Sequence, residues 1–210
     1  MEYLKETLER VEEYAATFLT DRNRPLKAYH NLYHTQQVVK ACIDMALFYR
    51  LTDQQYFIVI TAAWFHDIAY FEGAYEHEER GAAQVAEYLR NESVSDTIID
   101  AVKNCILATK LPQKPRNLLE EIICDADLSH LGSSDFEIRS ELMKEEMEGA
   151  LGRKIKVKDW KEATLELLED HHYFTSYCKQ MLSKQKDRNV LKLKSEIETF
   201  HDNSFPTDSL

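Results

Sequence analysis

Three features of this 210-residue chain predict an all-α fold. It has only 5 Gly and 4 Pro, where average usage gives about 15 and about 10. It is rich in Leu, Glu, Lys and Ala, which favour helix over turn. Its apolar residues recur at helical spacing through most of its length. So few turn-formers imply long helices with few tight turns between them.

The elements follow in order. Tyr3, Leu4, Leu8, Val11, Tyr14 and Phe18 predict a helix over 3–19, and DRNRP (21–25) breaks the pattern. Leu32, Val38, Val39, Cys42, Ile43, Ala46 and Leu47 share one side of a second helix, from about Asn31 to Arg50. Leu51-Thr52-Asp53 makes a turn with Thr52 or Asp53 as N-cap. The next helix, Tyr56 to about Asp67, is nearly all apolar and belongs in the centre of the fold. IAYFEGAY (68–75) is a loop. A helix over 76–91 follows, then one over 95–109 opened by Ser95. LPQKPRN (111–117), with two prolines, is a loop. Further helices are expected over 118–130, 134–149, 159–170 and 174–201. The chain contains no internal repeat and reads as one domain over 1–210. A core spans about 25–132, an accessory helical layer covers about 133–205, and order is lost near His201 to Leu210.

The net charge of −11 repels nucleic-acid backbones and anionic lipid, so neither an extended nucleic acid nor a membrane is an expected partner. A small anionic substrate remains compatible if a cation neutralises it locally. The cysteines (Cys42, Cys105, Cys124, Cys178) are scattered and read as buried thiols in a reducing compartment. The charged start MEYLKETLERVEEY is unlike a secretory signal, and the longest apolar run (57–65) is too short to span a bilayer. A cytoplasmic location is expected.

Four strings carry the chemistry: YHNLYH (29–34), WFHDIAY (64–70), HEERGA (77–82) and CDADLSHLG (124–132). His34 lies four residues after His30, which places both on one helical face a turn apart. His66-Asp67 ends a helix too apolar to be peripheral, so two polar groups are buried there. Such burial is costly unless they are bonded or coordinated. Asp125 and Asp127 end the apolar run LLEEIICDAD under the same penalty. One divalent cation resolves all these costs, and mixed imidazole and carboxylate ligands suit Mn, Fe, Co, Ni, Zn or Mg.

With those residues in place, the chain resembles the HD superfamily of metal-dependent phosphohydrolases. The resemblance covers roughly 29–132, and extends more weakly to ELMKEEME (141–148) and KDRNVL (186–191). It implies an HD-type helical domain in which His34, His66, Asp67 and Asp127 hold one tightly bound divalent metal. Asp125 is the rival for the fourth ligand, and the family register favours Asp127. The resemblance also implies hydrolysis of a phosphoester or phosphoanhydride in a small phosphorylated molecule such as a nucleotide. The YHNxxH string looks like that of the distantly similar cyclic-nucleotide phosphodiesterases, which makes His30 the candidate general acid. Glu78 is the candidate for orienting the nucleophilic water. His77 stands four residues before Gly81-Ala82, where binuclear relatives carry a second-metal ligand. Ala108 occupies the place of a further His those proteins need, so one metal is expected and His77 is taken as a phosphate or second-layer contact.

Arg80, Lys110, Lys144 and Arg188 are candidate phosphate contacts, each against a reading as a surface charge. Asn31 either braces a ligand or caps a helix. His171-His172 reads as surface or interhelix structure. Trp64, Phe65, Tyr70 and Phe71 are core or pocket wall. Two other functions compete with hydrolysis: a non-catalytic nucleotide-binding regulatory module on the same scaffold, and a diiron oxygenase, which needs more histidines than the site offers.

Overall fold

The protein, as a computed structural model, is described over residues 2–21 and 27–202. The predicted break at 21–25 and the expected loss of order at the C-terminus therefore lie mostly outside the described residues. Two compact units are present, one through Ser129 and the other from His130 onward. Among the described residues every regular element is a helix.

The first unit contains α1 (Glu2–Leu19), α2 (Leu32–Tyr49), α3 (Asp53–Phe65), α4 (His77–Asn91), α5 (Asp96–Ala108) and α6 (Leu118–Asp127). As its sequence predicts, α3 is the centre: Phe57 through Phe65 are all buried, and the helix touches α1, α2, α4, α5 and α6. Each large apolar side chain so buried contributes about 1.5–3 kcal/mol. Its start is fixed by a reciprocal capping box, in which the Thr52 hydroxyl accepts from Gln55 N–H and the Gln55 side chain accepts from Thr52 N–H. That cap selects Thr52 over Asp53 and starts the helix three residues earlier than its apolar pattern suggests.

Asn31 caps α2, its side chain accepting from the backbone N–H of Tyr33 and His34, and Arg50 ends the helix in the left-handed conformation. Ser95 occupies the N-cap of α5 without a side-chain bond to the helix. The close approach of α4 to α3 depends on Gly81, where a Cβ would sit 3.0 Å from the Phe65 carbonyl oxygen.

The second unit holds α7 (Phe136–Leu151), α8 (Val157–Asp170), α9 (Ser176–Met181) and α10 (Ser183–Asp202). The single helix expected over 174–201 is thus two, divided at Leu182. The split falls at a close packing contact. Leu182 lies against Gly132, where a Cβ would come within 2.7 Å of both Leu182 Cβ and its carbonyl oxygen and 2.6 Å from Tyr173 Oη. No real side chain fits those distances without backbone movement. Gly132→Ala should therefore destabilise the protein by about 1–3 kcal/mol, read as a lowered melting temperature. An unshifted melt would show that Leu182 yields freely.

Candidate metal centre

Two helix ends and one helix start deliver the site. His34 sits in the first turn of α2, with its backbone N–H held by the Asn31 cap at 3.2 Å. His66 and Asp67 follow the last residue of α3, with His66 still in helical conformation. Asp127 is the last residue of α6. Ligand atoms from these four residues all lie within 4.8 Å of one another. His34, His66 and Asp67 are buried and Asp127 is half-buried.

The distances describe a shared centre. His66 Nε2 is 3.3 Å from His34 Nε2. Asp67 Oδ2 lies 3.2 Å from His34 Nε2 and 3.0 Å from His66 Nε2. Asp127 Oδ1 lies 3.4 Å and 3.6 Å from the same two nitrogens. Ligands bound about 2.0–2.2 Å from one ion stand roughly 3 to 3.5 Å apart as neighbours. The tautomer is also suitable. His66 Nδ1 lies 2.8 Å from the Ala63 carbonyl oxygen, which can only accept, so the neutral ring presents a lone pair at Nε2. Asp67 Oδ2, finally, is fully enclosed yet forms no hydrogen bond despite two imidazole nitrogens beside it. These groups are aimed at a common point more than at each other. The donor set fits a divalent cation.

The electrostatics carry the same message. Burial pushes the His34 imidazole down, but the adjacent carboxylates of Asp127 and Asp67 outweigh burial and lift it to about 9. His66 is likewise raised, burial being overcome by the Asp67 charge. Burial would raise both carboxyls. The surrounding imidazoles prevail instead, holding Asp67 well below the usual carboxylate range and Asp127 below it. The pocket is built to hold positive charge. Protons supply that charge where no cation does.

The other sequence candidates separate. Asp125, two residues earlier on α6, is fully buried and is outside the converging set; Asp127 is inside it. His30 is not on α2 at all, because the Asn31 cap places it before the helix. Its position is set by stacking on Tyr70, with ring centroids 3.7 Å apart, and its ring lies 5.8 Å from that of His34. His77 opens α4 with Nδ1 2.8 Å from the Ala74 carbonyl oxygen and Nε2 3.3 Å from Asp67 Oδ1. It thus faces the Asp67 oxygen turned away from the four-residue centre. Burial lowers His77, but the Asp67 carboxylate overrides it and raises the ring to about 9. Glu78 is buried beside it, with Oε2 3.3 Å from His77 Nδ1.

The four cations proposed from sequence are engaged elsewhere. Arg80 donates to the carbonyls of Ala69 (3.2 Å), Gly73 and Tyr75, so its guanidinium laces the 69–75 loop. Lys110 pairs with Glu79. Lys144 belongs to the second unit and pairs with Glu148 at 3.2 Å. Arg188, also in that unit, donates to Gln185. Loop 110–117 lines a cavity of about 280 Å³ with Lys114 and Arg116. His171 is buried against the Tyr173 ring in the second unit, consistent with structural use. His172 is exposed.

This combination defines an all-helical fold with a buried two-histidine, two-aspartate centre. No family model matches the chain, and no curated protein matches it in sequence. Two solved structures share the fold. One is described as a predicted HD superfamily hydrolase from an uncultured Thermotogales bacterium. It is 19% identical over 94% of this chain and 93% of that one, with a TM-score of 0.57. The other is Bacillus subtilis YpgQ, 16% identical over 94% of this chain and 98% of that one, with a TM-score of 0.63. The chain has the fold of these proteins.

Proposed function

We propose that the protein is a metal-dependent phosphohydrolase acting on a small phosphorylated molecule such as a nucleotide. The observation that carries this reading is the convergence of His34, His66, Asp67 and Asp127, with Asp67 Oδ2 enclosed and unbonded at its centre. A divalent ion held there would acidify a water and neutralise phosphoryl charge.

The remaining roles fall to the chain's own groups. His66 is oriented by Ala63 and Asp67 by His77 through its outer oxygen, the kind of second layer that fixes ligand geometry. Glu78, buried at the start of α4, is assigned to accept a hydrogen bond from the attacking water and orient it. His30 is assigned to give a proton to the leaving oxygen. Its plane is held by the Tyr70 stack rather than by the helix. A net charge of −11 favours a small substrate over a polymeric anion.

The test is a panel of aryl phosphates and nucleotides offered with Mn, Mg, Ni, Co, Fe and Zn in turn. Metal-dependent turnover is expected. A metal-loaded protein that binds a nucleotide tightly and releases no product would instead be a regulatory module, and the hydrolase reading would fall.

A further inference from the structure

We propose that Lys27, seated over the ring of Tyr70, is the phosphate-binding cation of this site, an assignment that rests on the hydrolase reading above. The need for such a cation comes from charge. Asp67 and Asp127 meet at the centre, so a dication is offset by its own two carboxylate ligands and leaves little net positive charge for an incoming phosphoryl dianion. Arg80 and Lys110, the cations that the sequence places nearest, are taken up by loop carbonyls and by Glu79.

Lys27 is placed differently. It lies just ahead of Tyr29 and His30 in the chain, and its Nζ stands 5.1 Å from the centroid of Tyr70, within cation–π range. Tyr70 is the shared neighbour of the site's outer imidazoles, stacked on His30 at 3.7 Å and edge-on to His77 at 5.1 Å. His77 in turn touches Asp67. One ring is therefore the common neighbour of an ammonium, the assigned proton donor and the partner of a metal ligand. The turn that carries Tyr70 (Tyr70–Glu72) is itself held on both sides by Arg80, through the carbonyls of Ala69 and Gly73. An ammonium against a π face keeps its three N–H donors available to phosphate oxygens, whereas one paired with a carboxylate does not. The substrate group it would take is a terminal phosphate, met as a point charge.

Calorimetric titration of inorganic phosphate into the manganese-loaded protein tests this. Manganese affinity and thermal melting serve as controls for an intact centre. Lys27→Met should weaken phosphate binding about tenfold or more and raise KM on an active substrate by a similar factor. Manganese affinity should stay unchanged, and Lys27→Arg should restore most of the loss. Tyr70→Leu, which removes the seat and keeps the charge, should weaken phosphate binding by a smaller factor. If Lys27→Met binds phosphate as the wild type does, or Lys27→Arg falls as far as Lys27→Met, the assignment of Lys27 is overturned while the hydrolase stands. If the wild-type loaded protein binds no phosphate and turns over no substrate, the hydrolase reading fails and takes this one with it.

Discussion

Asp67→Ala is expected to lose metal binding by more than about a hundredfold and to abolish hydrolysis. Removing a group that merely orients a metal ligand typically costs about 10–100-fold in affinity, and Asp67 is proposed to ligate directly. Its Oδ2 is the enclosed oxygen lying 3.0 and 3.2 Å from the two imidazoles, and its Oδ1 lies 3.3 Å from His77. One substitution therefore removes a ligand, a negative charge and the anchor of His77. It also leaves two buried imidazoles whose raised pKa values depend on that carboxylate. Both should fall, His34 less because Asp127 remains beside it, and the variant should still fail to retain the ion. Calorimetry with manganese and a phosphatase assay at saturating metal read the two effects separately. Retention of tight binding would mean that the centre lies elsewhere, and retention of turnover without metal would remove the proposed chemistry. Asp125→Ala gives the contrast, since Asp125 is buried outside the converging set. It should lower stability and leave metal affinity in place.

Much of this centre is legible in the sequence because burial and polarity conflict there. His66-Asp67 closes a helix in which nine consecutive residues are buried, so a charge at its end needs a partner whatever the fold. LLEEIICDAD poses the same conflict but leaves Asp125 and Asp127 open, since a helix two residues further on has turned through some 200°. Only the packing of α6 decides between them. His30 shows the opposite limit. Spacing of four places it on the face of His34 only if the helix begins early enough, and the Asn31 cap starts it two residues too late, at Leu32. The cations were the least legible. A Lys or Arg can satisfy itself on any carbonyl or carboxylate within reach of a long side chain, as Arg80 and Lys110 do. Nothing local in KAYHN marks Lys27, because its partner, Tyr70, arrives from a turn more than forty residues away. The break at Leu182 is hidden because the helical pattern runs through it, while its close neighbour Gly132 lies fifty residues back in the chain.

Metal should stabilise the protein more at pH 9 than at pH 6, and the metal-free protein should weaken across that interval. His34 is lifted from 6.5 to about 9 by Asp127 and Asp67 against the opposing effect of burial. A group that holds its proton more tightly when folded contributes stability that is whole below its unfolded value and gone once pH has risen through its folded value. The contribution of His34 is therefore complete below about 6.5 and lost toward 9. His77, raised to about 9 mainly by Asp67, loses its share over the same window. Asp67 acts in the other direction, since its lowered pKa stabilises the fold above the ordinary carboxylate value of 3.8 and fails only in stronger acid. The metal-free protein should thus melt highest at mildly acidic pH. A bound ion replaces the protons of the imidazoles, so its affinity rises as those protons leave, and saturation about a thousandfold above Kd adds about 4 kcal/mol. Melting curves with and without manganese should diverge steadily from pH 6 to pH 9, and titration near pH 7.5 should release protons, seen as a dependence of the binding heat on buffer ionisation. Parallel curves, or binding that strengthens in acid, would show that the imidazoles of His34 and His66 do not face the ion.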